Sequence, residues 1–325
     1  MANSLRGPIR VAAALAALIC GSALAQDNYP SRPVQIVVAY PPGGAVDTIA
    51  RKIAQKLSEQ MGQQFVVENK PGASGTIGAR EVARAEPDGQ TLLAIDNSYA
   101  MLPYVFAKLP WDHATDLVPI TVSAFSPIMV VVGEGSQFKD LGGLLEYARQ
   151  NPEKLTYATG GNGSATHFAA EAFQQAAGIK LYHVPYKGAG DAVVGVMSGD
   201  VDLITASPPS VMGNIRGGQM RSLAISGTKR VPALPDVPTF AEAGLPQYSV
   251  LNWSGLAAPK GTPPEVIEKL QAGVAKALTE PDVQEFLTSQ GAEPGGMAAE
   301  AFAQLMQEET VRWRDVAAAA GFEAK

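Results

Sequence analysis

The residues best placed to do chemistry in this 325-residue sequence sit in loops. Thr159-Gly160-Gly161-Asn162-Gly163-Ser164-Ala165-Thr166-His167 separates a strand-like segment from an amphipathic, helix-like one. Glycines let the backbone come close to a ligand, and a helix start offers free N–H groups at the positive end of its dipole. Ser164 and Thr166 add hydroxyls. The loop therefore suits a carboxylate or phosphate, although Ser164 would also serve simply as a helix cap. Sharper motifs fail. A dinucleotide fingerprint starting at Gly161 needs glycine where Thr166 stands, with an acid about 20 residues further on that is missing. A nucleophile elbow centred on Ser164 needs glycine at Asn162 and Thr166. Ser164 and His167 are three apart, but no acid is placed to orient the imidazole.

A second loop, Tyr40-Pro41-Pro42-Gly43-Gly44-Ala45-Val46-Asp47, exposes the amides of Gly43 and Gly44 at the entry to a helix. Asp47 either caps that helix or meets a ligand donor or water, because it would repel a carboxylate directly. Lys187, in Tyr186-Lys187-Gly188-Ala189-Gly190, either neutralises an acid or is simply solvated. His113, His167 and His183 are scattered, and His167 reads as a hydrogen-bonding helix residue rather than a base. No histidine pair or carboxylate cluster has metal-ligand spacing, so neither metal nor cofactor is expected. With few cations in these loops, an anion would be held by backbone amides and hydroxyls. That is a neutral grip, better suited to reversible capture than to bond cleavage.

Elements must deliver these loops to one place. Residues 34–39, 65–68 and 91–95 read as strands. Ala50, Ile53, Ala54, Leu57 and Met61 recur at helical spacing, closed by Gly62, and residues 71–75 open another helix. This β-α-β-α-β pattern predicts a parallel α/β sheet. A connection rich in Pro and Asp follows at 109–119, and residue 129 begins a second set. There, strands at 129–132, 155–158, 181–184, 202–206 and 221–226 alternate with helices at 141–150, 165–177 and 189–197. Residues 250–258 lead into a helical last third. In such sheets ligands sit beyond the carboxyl ends of the strands, where loops at 40–44, 96–98, 159–164 and 185–190 fall.

Composition narrows the setting. Net charge is −6, with no basic run, which makes nucleic acid a poor partner. Arg6 and Arg10 precede ten apolar residues, 11–20, and then Ala23-Leu24-Ala25, the layout of a secretory signal peptide over residues 1–25. Ten residues are too few to span a bilayer. Cleavage near Ala25-Gln26 would leave 300 residues at −8 and remove the only cysteine, Cys20. That excludes thiol and Cys-ligated metal chemistry, and export predicts a periplasmic or secreted protein.

Several segments carry a resemblance. They are Tyr29-Pro30-Ser31-Arg32-Pro33-Val34, then residues 38–44 with Asp47 and Arg51, Gly62-Gln63, 66–75, Pro87-Asp88-Gly89, 161–167, 183–188, 235–239 and 261–264. In this order, along nearly the whole mature chain, the sequence resembles the Bug (TctC-type) extracytoplasmic solute receptors of tripartite tricarboxylate transporters. The resemblance implies an α/β type II periplasmic-binding-protein fold, two lobes around a ligand cleft. Lobe 1 would be discontinuous, 27–125 plus 248–325, with lobe 2 at 126–247. It implies a non-enzymatic, monomeric receptor that grips a small organic carboxylate and passes it to inner-membrane permease subunits. Carried onto matching positions, the ligand-binding residues are Tyr40, Gly43, Gly44 and Asp47 from one lobe. Gly163, Ser164, Thr166, His167 and Lys187 come from the other, with Ser98 and Asp202 as weaker matches. Tyr40 stands where the family pattern has Phe, and Ser254 follows Trp253 where an aromatic is expected, which bears on the ligand's far end. A sensory ectodomain or an exported α/β hydrolase are the alternative readings.

Overall fold

The computed structural model describes residues 29–324, so the signal-like segment lies outside the described residues. Strand β1 (Val34–Val38) is followed by helix α1 (Ala45–Met61), which lays Ile49, Ile53 and Leu57 on the sheet. The helix stops where expected, at Gly62, whose left-handed backbone (φ 69) returns its N–H to the Ser58 carbonyl. Strand β2 (Phe65–Asn69), a short 3₁₀ turn, helix α2 (Thr76–Ala83) and strand β3 (Thr91–Asp96) follow. β1 lies between β2 and β3 and is parallel to both. Helix α3 (Asn97–Val105) leads to the 11-residue strand β4 (Leu117–Pro127), so the end of the expected connection at 109–119 is in fact strand.

The chain then crosses into a second sheet. Strand β5 (Met129–Gly133), helix α4 (Leu141–Gln150), strand β6 (Thr156–Thr159), helix α5 (Ala165–Ala177) and strand β7 (Tyr182–Pro185) come first. Helix α6 (Ala189–Ser198), strand β8 (Leu203–Ala206), helix α7 (Pro208–Arg216) and strand β9 (Met220–Ile225) complete it. The order is β7-β6-β8-β5-β9. β5 is a run of buried apolar residues because helices cover both faces of the sheet.

Strand β10 (Leu251–Pro259) returns to the first sheet, inserting between β3 and β4 and antiparallel to both. Helices α8 (Pro264–Thr279) and α9 (Pro281–Ser289), the two-residue strand β11 (Glu293–Pro294) and helix α10 (Ala299–Ala319) close the chain. The first sheet therefore reads β11-β4-β10-β3-β1-β2. The expected parallel pairing holds for β2-β1-β3 in the first sheet and for β7-β6-β8 in the second. The strands that cross between sheets run out and back side by side, which forces antiparallel pairing.

The result is two α/β lobes, each with apolar clusters packed on its sheet. The crossings are tied together: Ser226 donates its N–H to the Ile128 carbonyl, and its hydroxyl accepts the Ile128 N–H, both at 2.8 Å. Helix α10 spans the lobes. Phe302 packs edge-on against Trp253 at 5.0 Å in the first, whereas Trp313 packs edge-on against Phe168 at 5.8 Å in the second.

Candidate functional site

A cavity of about 70 Å³ lies between the lobes, beyond the carboxyl ends of β1, β3, β6, β7 and β8. Five helices begin at its wall: α1 at Ala45, α3 at Asn97, α5 at Ala165, α6 at Ala189 and α7 at Pro208. Gly44, Gly188 and Ser207, which precede α1, α6 and α7, make no side-chain cap. Their first turns keep positive dipole ends facing the cavity, worth roughly half a charge each. No Lys, Arg or His is among the described lining residues. The lobes touch around the rim. Ala45 N–H donates to Ser210 Oγ at 3.1 Å, and Ser74 Oγ donates to the Asn162 carbonyl at 2.5 Å. Pro41 lies against Gly188 so closely that a Cβ there would stand 2.7 Å from Pro41 Cγ.

Asp47 is committed to shaping its own loop. Its carboxylate accepts from Gly43 N–H at 3.0 Å, from Arg51 Nε and a terminal guanidinium nitrogen at 3.1 and 2.9 Å, and from Asn69 Nδ2 at 2.9 Å. Burial by itself would raise this carboxyl. The Arg51, Gly43 and Asn69 bonds outweigh it and hold the group below the usual carboxylate range. Gly43, its amide spent on Asp47, lies outside the lining, while Gly44 and Asp47 are part of it.

Tyr40 and Ser98 line the first-lobe wall together with Asp96. Tyr40 Oη donates to Asp96 Oδ1 at 3.2 Å and shares a short bond with Ser98 Oγ. Ser98 gives Asp96 Oδ1 both its N–H, at 3.1 Å, and its hydroxyl, so Asp96 also caps α3. Burial pushes the Asp96 carboxyl up, and the Ser98 and Tyr40 bonds and its own backbone amide oppose this without cancelling it.

Across the cleft, Ser164 and Thr166 line the cavity, but Ser164 is no activated nucleophile. Its hydroxyl donates to the Gly161 carbonyl at 2.8 Å and accepts the His167 N–H at 3.3 Å as an N-cap. The His167 ring turns away: Nδ1 accepts from Gly163 N–H at 3.1 Å, and the ring stacks on His183 at 3.9 Å. Both rings face a separate groove of about 850 Å³ with Tyr157 and Glu171. Burial, and for His167 also the neighbouring His183, pushes them down to about 3 for His167 and about 4 for His183. Gly163 packs on Val105 rather than on the cavity. Lys187 is exposed and pairs with no described acceptor, while its neighbours Gly188 and Ala189 reach the wall. Asp202 is at the wrong end of its strand. It precedes β8 and accepts from Thr156 N–H and Oγ1, both at 2.7 Å, where β6 begins, whereas the cavity lies where β6 and β8 finish. Thus Tyr40, Gly44, Asp47, Ser98, Ser164 and Thr166 come together, and Gly43, Gly163, His167, Lys187 and Asp202 do not reach the cavity.

Geometry of this kind can hold an anion by amides and hydroxyls, and comparison with known proteins gives it a setting. Residues 49–322 match the model of the tripartite tricarboxylate transporter family receptor, TctC. The chain belongs to that family. Its members and its structural neighbours are periplasmic binding proteins rather than enzymes. The periplasmic binding protein BugD is 33% identical and superposes with a TM-score of 0.86, over 91% of this chain and all of that one. Rpa4515 of R. palustris, solved with adipate, is 35% identical at a TM-score of 0.88, over 91% of this chain and 100% of the other. MatC of Rhodopseudomonas palustris, solved with malate, is 34% identical at 0.83, over 89% and 100%. The two-lobed fold and the TctC resemblance expected from the sequence are thereby established.

The family match leaves the wall residues unexplained one by one. Four further lining residues, Asp96, Ser207, Ser210 and Asn252, are not among the residues expected from the sequence. Ser207-Pro208-Pro209 was legible as a helix start, since proline favours the first helical turn. Asn252 lies inside a strand and carries no local signal.

Proposed function

We propose that this protein is an exported, periplasmic receptor that captures a small carboxylate between its lobes and hands it to an inner-membrane permease without altering it. One observation carries the reading: helix N-termini from both lobes converge, largely uncapped, on a cavity without a cationic side chain. The carboxylate is held by amides at Gly44 and Ala189 and by hydroxyls of Thr166 and Ser210, with Ser164 capping α5 beside it and Asp47 fixing the first loop from behind. The neighbours' adipate and malate support this ligand class. The lobes, 27–125 with 248–325 and 126–247, close about the paired crossings, and the turns around Trp313 ride on the second lobe. Contacts made to both lobes favour the closed form. The receptor acts as a monomer, and the segment 1–25 is its export signal.

The test is a melting-temperature screen and calorimetry over mono-, di- and tricarboxylates. A ligand at a hundred times its Kd should stabilise the fold by about 2.7 kcal/mol, a rise of several degrees. No shift and no heat with any carboxylate overturns the proposal, and turnover of the bound acid overturns its non-enzymatic part.

A further inference from the structure

The Tyr40–Ser98–Asp96 wall bears a charge pattern at odds with a cavity that only grips anions. Asp96 is 8% exposed, lines the cavity and spends its hydrogen bonds on one oxygen. Oδ1 accepts from Ser98 N–H, Ser98 Oγ and Tyr40 Oη, so the bonds from these two residues all fall on one oxygen and leave Oδ2 to spare. No cation lines the cavity to neutralise it. The strand register adds a second acceptor. Asp96 pairs with Ser254, so Asn252, two residues along, faces the same side of the sheet. Asn252 also lines the cavity, gives its Nδ2 to Ser207 Oγ at 3.2 Å and leaves Oδ1 buried without a partner. A buried acceptor left unmade costs free energy until a donor reaches it. An orphaned Asn252 Oδ1 beside the Asp96 carboxylate on one wall asks for a donor from the ligand.

We propose that Asp96, with Asn252, determines ligand specificity: the acid taken by this cleft carries, besides the gripped carboxylate, a hydroxyl or ammonium group that donates to Asp96 Oδ2. The inference rests on the carboxylate-receptor reading and sharpens it. The ligand's carboxylate goes to the helix starts, because two carboxylates sharing a buried site cannot both stay ionised. Its donor goes to the opposite wall. A plain diacid fits worse, since its second carboxylate would face Asp96.

The experiment is calorimetry on the full mature chain with matched skeletons: succinate, malate and aspartate; glutarate, 2-hydroxyglutarate and glutamate; adipate, 2-hydroxyadipate and 2-aminoadipate; butyrate, 4-hydroxybutyrate and 4-aminobutyrate. In the skeleton that binds most tightly, the substituted acid should bind about ten- to a hundredfold more tightly than the plain one, as a hydrogen bond to a charged group warrants. The hydroxyl and ammonium arms then tell which donor is used. Asp96→Asn should bring that ratio to within about threefold, and Asp96→Ser, which keeps a cap on α3, serves if circular dichroism shows the first variant unfolded. Plain acids binding within threefold of the best substituted acid in the wild type would overturn the specificity role and leave the receptor reading standing. An undiminished ratio in the folded variant would do the same. Absence of binding by every carboxylic acid would remove both.

Discussion

Gly188→Ala separates lobe closure from lobe stability. Gly188 has an extended backbone, φ 175, that any residue adopts, so alanine brings no torsional strain. Its new Cβ would stand 2.7 Å from Pro41 Cγ and 3.0 Å from Cδ, across the cleft. Ordinary contact begins near 3.4 Å, so one lobe must give by about 0.7 Å. Overpacking of this kind costs about 1–3 kcal/mol. The clash exists only where the lobes touch, and ligand binding by contacts to both lobes requires that they touch. The whole cost therefore falls on affinity, a loss of about five- to 150-fold in Kd for the tightest carboxylate. Alanine is also a poorer helix N-cap than glycine. That smaller cost is common to open and closed forms, so it lowers the ligand-free melting temperature by no more than a few degrees and cancels from the affinity. Calorimetry gives the Kd, and small-angle scattering with saturating ligand should show less compaction than in the wild type. An unchanged Kd in the variant would refute closure at this contact. A ligand-free melting loss as large as the affinity loss would show that Gly188 matters for folding instead.

Other perturbations address the same architecture. Ser210→Ala removes the hydroxyl that accepts the Ala45 N–H across the cleft. The expected loss is about threefold to tenfold in affinity by calorimetry, with the ligand-free urea midpoint unchanged. Asp47→Ala frees the Gly43 amide, Arg51 and Asn69 together. Urea unfolding should show a loss of about 1–3 kcal/mol, and carboxylate affinity should fall more than tenfold as the Gly44 loop loosens. His167 and His183 are neutral in the fold, with values near 3 and 4 against an ordinary 6.5. The unfolded chain binds the extra protons, so their contribution is complete above about pH 6.5 and declines as pH falls toward 4. Urea midpoints should drop between pH 7 and 4.5 by the equivalent of about 2–3 kcal/mol for each histidine. His183→Gln should flatten that profile, and an equally steep one would refute the assignment.

Much of the fold was readable because its signals are local. The helical spacing of Ile53 and Leu57, the stop at Gly62 and the apolar run at β5 each depend on a few neighbouring residues. Strand β4 was less legible, because the Pro and Asp residues just before it mark a turn and its pairing partner β10 lies more than a hundred residues away. Antiparallel insertion of β10 between β3 and β4 is a tertiary choice that no window of sequence contains. The same holds for α10, whose one amphipathic pattern serves two lobes through Phe302 and Trp313.

At the site, residue type was legible and direction was not. Glycine-rich loops after strands pointed correctly to the cavity, yet within each loop the wall is made by whichever groups the local hydrogen bonds leave free. Gly43 and Asp47 satisfy each other, so Gly44 is the glycine left at the wall. His167 points away because its Nδ1 takes the Gly163 amide and its ring stacks on His183, a residue of a different strand. Asp202 precedes β8 and lies away from the cavity, since strand polarity decides which terminus faces it. Asp96 reverses the case. It caps α3, and only the arrangement around Tyr40 and Ser98 shows that their bonds all fall on one carboxylate oxygen.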